Sequence, residues 1–187
     1  MNNNPLLTEI TTGFGLEMEK FKSFFNPLKL KKNEFLVEQD KICTLFCFIV
    51  SGVLQHATTL HEEEKTTYLS LKNTFTTSLK SFLTQTPSRK HIKALVETEL
   101  LVIALDDFMQ LRNTNTEFRQ FYYDLIERQI CLIDEYRIDL LALTPEERYK
   151  KLLLSEPKLL QEVPLHYLAS FLGISTRHMS RIRKNSL

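Results

Sequence analysis

The sequence predicts an α+β protein in which a strand-rich first half gives way to helices that run to the C-terminus. Three observations carry this. Short runs of Val, Ile, Phe and Thr alternate with polar turns from Leu28 to about Leu105. A stretch from Asn115 to Ala142 contains neither glycine nor proline, and a helix–glycine–helix pattern occupies Pro164 to Lys184. Period-two runs point to strands, and unbroken 3.6-residue periodicity points to helices.

In chain order, residues 6 to about 27 read as a short helix with an apolar stripe of Leu16, Met18, Phe21, Phe24 and Phe25. Strands follow at Glu34–Glu38, Thr44–Val50, Val53–Thr59, Lys65–Leu71, His91–Val96 and Leu100–Leu105, a spacing that suggests an antiparallel barrel or sandwich. His61–Lys65 is a solvated hairpin tip, and Thr77–Leu83 has room for a short helix. Asp106 or Asp107 caps a helix through Leu111. The long helix opens at Asn115 or Thr116. On it Phe118, Tyr122, Leu125, Gln129, Leu132 and Tyr136 keep the 4-3 spacing of a two-stranded coiled-coil seam. Beside that seam Ile126, Ile130 and Ile133 form a second stripe that could pack on the strand domain, so one helix has two apolar partners; a second copy of the chain is one candidate, and the alternative is a helix sandwiched inside a monomer. Thr144-Pro145-Glu146-Glu147 opens the next helix, with Thr144 and Glu147 as a capping box.

Composition sets the bounds. Of 187 residues, 43% are hydrophobic and 25% charged, as in an ordinary globular chain. No apolar run, Leu45–Val50 included, is long enough to span a bilayer, and Met1–Pro5 lacks a signal peptide's basic start, so the expected setting is cytoplasmic, away from membranes. The three cysteines are read as buried reduced thiols, with Cys43 and Cys47 on one face of a strand, and no metal site is expected. Net charge is +1, yet Pro145–Leu187 carries eight Lys/Arg against four Asp/Glu, which makes a polyanion partner plausible for that end.

Pro164–Gly173 holds a helix start, an apolar face and a terminal glycine, and Ser175 can cap a following helix from Thr176. This is the pattern of a helix-turn-helix, with Leu168, Leu172, Ile174, Met179 and Ile182 as its core. Burying Met179 and Ile182 turns Thr176, Arg177, Ser180, Arg181 and Lys184 outward. Arginine can make paired bonds to the guanine edge in the major groove of double-stranded DNA. Ser175, Thr176 and Ser180 suit phosphate oxygens, as do Arg183 and Lys184.

With these pieces in order, the chain resembles the Crp/Fnr family of bacterial regulators. The resemblance is carried by Leu30-Lys31-Lys32-Asn33-Glu34-Phe35-Leu36, by Phe48–Leu54 with its Ser51-Gly52, and by Leu168–Lys184. It implies a cyclic nucleotide-binding-type β-roll sensor over 1–114, a long dimerisation helix over 115–142 and a helix-turn-helix DNA-binding domain over 143–187. It further implies a homodimer, contact with RNA polymerase, and Thr176, Arg177 and Arg181 at the recognition-helix positions that face bases. With the chain ending three residues past Lys184, a compact helical DNA module is expected, not a full winged helix.

Nucleotide-binding members carry a phosphate-binding cassette, Gly-Glu followed further on by Arg-Ser/Thr-Ala. Here those places fall on Thr77-Ser78 and Ser88-Arg89-Lys90, without the glycine or the glutamate. Arg89 lies one residue off, and one step along a strand reverses a side chain's direction. The expected effector pocket (Thr77, Ser78, Ser88, Arg89, Lys90) is therefore degenerate: no cofactor is expected, cyclic AMP is disfavoured, and another small-molecule effector is left open. Residues 1–42 lack the cysteines of the iron–sulfur branch, and His56 and His91 read as surface or strand residues, not haem ligands. The alternatives are a nucleotide-responsive regulator with an altered cassette, or an interaction scaffold that has lost DNA. No catalytic residue is assigned: phosphate-gripping loop, zinc-protease and nucleophile-elbow motifs are missing, and His166 and His178 read as surface or capping residues.

Overall fold

The computed structural model describes residues 20–155 and 157–185. Eight strands come first: β1 (Asn26–Leu30), β2 (Phe35–Val37), β3 (Leu45–Ser51), β4 (Val53–Leu60), β5 (Glu63–Leu71), β6 (Phe75–Thr76), β7 (His91–Ala94) and β8 (Thr98–Ala104). A short helix α1 (Leu79–Thr84) lies between β6 and β7. The helices α2 (Leu105–Thr114), α3 (Thr116–Ala142), α4 (Pro145–Ser155), α5 (Pro157–Glu162), α6 (Leu165–Phe171) and α7 (Thr176–Asn185) complete the chain. It divides into two compact units, one closing at Gln110 and the other taking up the chain from Leu111.

In the first unit all pairings are antiparallel, in two four-stranded sheets ordered β1-β8-β3-β6 and β2-β7-β4-β5. The β3–β4 turn depends on Gly52, whose φ of +95° is open to glycine at little cost. A Cβ there would lie 2.3 Å from Thr98 Oγ1 and 2.8 Å from the Glu97 carbonyl oxygen, so no larger residue fits without displacing β8. An aromatic cluster anchors α1 and α2 to β3: Phe46 packs on Phe75 and Phe108 at 5.4 and 5.1 Å, and Phe82 meets Phe108 edge-on at 5.3 Å. Phe82 and Phe108 are fully buried, and each such ring contributes roughly 1.5–3 kcal/mol by leaving water.

The second unit has an all-helical core of Tyr149, Leu152, Leu159, Val163, Leu168, Ala169, Leu172, Met179 and Ile182. Its helix starts are built as the sequence predicts. Asn115 Oδ1 accepts the Phe118 N–H at 2.9 Å. The Thr144 N–H donates to the Glu147 carboxylate at 2.8 Å, and the Glu147 N–H returns a 3.3 Å bond to Thr144 Oγ1.

Several expectations need correction. Much of the helix read over residues 6–27 lies outside the described residues, and β1 already begins at Asn26. The strands β1 and β6 and the helix α5 carry too few residues for a periodic signal. Asp106 and Asp107 sit in the first turn of α2 instead of capping it. Cys43 precedes β3, so it does not share a strand with Cys47; both are buried, whereas Cys131 is exposed on α3. No helix among the described residues is long and apolar enough to cross a membrane.

Candidate nucleic-acid interface and effector site

The C-terminal motif is built from the inside out. The α6 helix ends at a turn in which the Gly173 N–H bonds the Ser170 carbonyl at 3.1 Å and the Ile174 N–H reaches the Ala169 carbonyl at 3.0 Å. Gly173 adopts φ +71° to close it, the left-handed conformation that glycine accepts most readily. Ser175 Oγ accepts the His178 N–H at 3.2 Å and caps α7. Met179 and Ile182 are buried, which fixes the roll of the helix about its axis.

That orientation leaves Ser175, Thr176, Arg177, Ser180, Arg181, Arg183 and Lys184 exposed. Among the described residues none of these four cations is held in an ion pair within 4.0 Å. Two further side chains brace the module, and no local pattern announces them. Arg148 donates from Nη1 to the Leu143 carbonyl at 2.7 Å and from Nη2 to the Leu172 carbonyl at 2.9 Å, tying the start of α4 to the helix-turn-helix turn. His178 Nε2 lies 3.0 Å from Glu146 Oε1. His166 is exposed.

The long helix α3 reverses its expected faces. Phe118, Tyr122 and Leu125 are buried inside the chain, and Gln129, Leu132 and Tyr136 are half-buried, with Tyr136 edge-on to Phe171 at 5.4 Å. The seam expected to meet a second copy is therefore largely used up within the chain. The other stripe is open: Ile130, Ile133 and Leu140 are 60%, 56% and 54% exposed. With Tyr123, Ile126 and Arg137 they continue a 3-4-3-4-3 spacing.

In the first unit, the cassette positions gather but do not open outward. Ser78 Oγ and Ser88 Oγ lie 2.8 Å apart, and Ser88 Oγ donates to the Lys90 carbonyl at 2.5 Å. Thr77 Oγ1 donates to the Leu45 carbonyl at 2.9 Å and touches Cys43 Sγ at 3.4 Å. Ser78 and Ser88 are buried, and their hydroxyls are already engaged with protein partners. Arg89 is exposed, while Lys90, in the bend before β7, is half-buried with its ammonium on His56.

His56 is the residue that sequence reasoning missed. It is a buried strand residue of β4, and it bridges the two sheets: Nε2 lies 3.0 Å from Ser70 Oγ on β5 and 2.7 Å from Thr76 Oγ1 on β6. Its Nδ1 lies 2.8 Å from Lys90 Nζ. Burial pushes the His56 pKa well below the ordinary histidine value, with the charges of Lys90 and His91 adding to it. Burial likewise lowers Lys90 to about 8. His91 is also buried; its Nε2 is 3.0 Å from the Glu64 carboxylate but too poorly aligned for a hydrogen bond. No group of three or more His, Cys, Asp or Glu side chains that could hold a metal occurs among the described residues.

Residues 27–115 match the family model of the cyclic nucleotide-binding domain. No curated protein is similar enough in sequence to count as a match. Solved structures are far more informative. FixK2 from Bradyrhizobium japonicum superposes with a TM-score of 0.76 at 12% identity, over 86% of this chain and 83% of that one. A protein of Eubacterium rectale assigned to the Crp/Fnr family matches at TM-score 0.67 and 16% identity, over 99% and 87%.

The chain has the Crp/Fnr regulator fold.

The c-di-GMP-responsive global regulator CLP of Xanthomonas campestris shares that fold at TM-score 0.67 and 15% identity, over 91% and 90% of the two chains.

Proposed function

We propose that this chain is a Crp/Fnr-like, DNA-binding transcriptional regulator that acts as a cytoplasmic homodimer, with a roll that does not take cyclic AMP in the usual way. The observation that carries the reading is the outward face of α7. A helix seated by Met179 and Ile182 offers Arg177, Arg181, Arg183 and Lys184, none ion-paired among the described residues, beside three hydroxyl side chains. Arg177 and Arg181, one turn apart, are assigned to base edges; Ser175, Thr176, Ser180, Arg183 and Lys184 are assigned to the phosphate backbone.

The dimer reading rests on α3. The stripe of Tyr123, Ile126, Ile130, Ile133 and Leu140 replaces the one read from the sequence, because Phe118, Tyr122 and Leu125 are buried within the chain. A helix face this apolar is ordinarily covered by a partner. Two copies joined there would present two recognition helices to successive major grooves, about 34 Å apart. RNA polymerase is a further partner of this reading, which assigns no catalysis to the chain.

The cassette speaks against cyclic AMP. A cyclic phosphate needs a cation and free donors turned toward it, whereas Arg89 is exposed and the Ser78 and Ser88 hydroxyls bond each other. That CLP responds to c-di-GMP illustrates that this fold answers to more than one ligand.

Selection of bound fragments from random duplex DNA tests the regulator. The expected result is an inverted repeat, with an affinity that falls steeply as salt rises. Failure to enrich any sequence, with weak binding that Arg181→Ala leaves unchanged, would refute it and favour an interaction scaffold.

A further inference from the structure

Lys90 lies in the bend just before β7 and is half-buried. Ile92, two residues on, is the register partner of His56, and Lys90 keeps the same parity. Its ammonium meets His56 Nδ1 at 2.8 Å, a distance at which the two groups share a hydrogen bond and cannot both be fully protonated. The lower affinity for a proton belongs to His56, so near neutral pH Lys90 is the charged partner and donates to the Nδ1 lone pair. His56 then carries its proton on Nε2, where Thr76 Oγ1 and Ser70 Oγ are in place to receive it.

An ammonium has three N–H donors, and this arrangement uses one. Among the described residues, no carboxylate lies within 4.0 Å of Lys90 Nζ, and no second acceptor stands within hydrogen-bond distance. The other titratable groups beside the pair are His91 on β7, near His56, and Cys43, near Lys90. A half-buried cation left without an anion costs stability to the extent that it is desolvated, and an apolar side chain of similar length would not bear that cost.

We propose that the interior of the roll binds a small carboxylate on the Lys90 ammonium, with His56 fixing the direction of that ammonium. One formal charge suits a monoanion, and two unspent N–H donors suit two carboxylate oxygens. Arg89 faces away, so no second cation is at hand to balance a doubly charged phosphate. This deepens the sensor reading of the roll, and it rests on that reading only for its consequence at the DNA.

The test uses the full chain and acetate as probe, against chloride at equal ionic strength and against cyclic AMP. Thermal unfolding reports binding, and reductive methylation followed by mass spectrometry reports access to the Lys90 amine. Acetate should stabilise the wild type saturably and slow methylation of Lys90 selectively, and Lys90→Met should weaken the effect roughly tenfold or more. Affinity should decline as pH rises past about 8, where Lys90 gives up its proton.

Equal stabilisation of wild type and Lys90→Met, or a Lys90 methylation rate indifferent to acetate, would overturn the site. So would protection by cyclic AMP but not acetate. Should Lys90→Met fail to fold, the wild-type methylation result decides alone. Acetate bound at Lys90 with no change in affinity for the selected duplex keeps the site and removes the sensor reading. Salt-sensitive, sequence-selective DNA binding without any acetate effect removes the site and keeps the regulator.

Discussion

The helix-turn-helix and the interior of the β-roll treat their polar side chains in opposite ways. On α7 the apolar residues Met179 and Ile182 go in, and the arginines and hydroxyls go out to solvent. In the roll His56, Ser70, Thr76, Ser78 and Ser88 are all buried and bonded to one another or to the backbone. The first arrangement leaves a surface ready for a large polyanion at little cost to the fold. The second holds a polar network inside, where every unmet hydrogen bond is costly, and it leaves one cation, Lys90, without a counter-charge among the described residues. The two units thus place their polar groups differently: the helix-turn-helix turns most of them to solvent, whereas the roll holds them inside beside Lys90.

Mutations can break or sharpen that contrast. The largest expected effect is Met179→Ala, which empties the centre of the helix-turn-helix. It should cost about 2–5 kcal/mol of that unit's stability in urea unfolding and abolish DNA binding with it. Lys90→Met should do the reverse in the roll. In the absence of a bound anion it is expected to be neutral or to stabilise by about 1–4 kcal/mol near pH 7, and clear destabilisation would show that the ammonium is structurally satisfied.

The pH dependence follows the same groups. Lys90 falls from 10.5 to about 8 on folding, so between those values the unfolded chain binds the extra proton. Stability in the wild type should therefore rise with pH across that window, relative to Lys90→Met, and this difference should vanish above about 10.5. His56, held low by burial, adds a loss of stability as pH drops below its ordinary value, because the unfolded imidazole takes a proton that the folded one refuses. Comparing chemical unfolding of the two proteins from pH 6 to 11 measures both, with the scan range set by the ordinary His and Lys values of about 6.5 and 10.4. The smallest expected effect is Thr144→Ala, which removes one side of the capping box at α4 and should cost about 0.5–2 kcal/mol.

The same contrast explains how far the sequence could be read. The C-terminal helical unit was legible because its signals are local: apolar residues three and four apart, a glycine at the turn, and a serine and a threonine at helix starts. On α3 the periodicity was equally clear, yet it offered two apolar stripes of similar strength. Only packing distinguishes Phe118, Tyr122 and Leu125, which are buried, from Ile130 and Ile133, which are exposed, and that distinction is not written in the spacing. The cassette's departures could be read one residue at a time, including the outward turn of Arg89. The His56 network could not, because its partners lie 14, 20 and 34 residues away and no periodic pattern links them.

The most direct test of the central claim is the affinity of the full chain for its selected duplex as salt is raised, in wild type and in Arg181→Ala. The account predicts a steep salt dependence and a loss of about 1–3 kcal/mol on the cognate site, with far less change on unrelated DNA. Equal affinity of the two proteins for every duplex, at every salt concentration, would contradict the assignment of α7 as the helix that reads DNA.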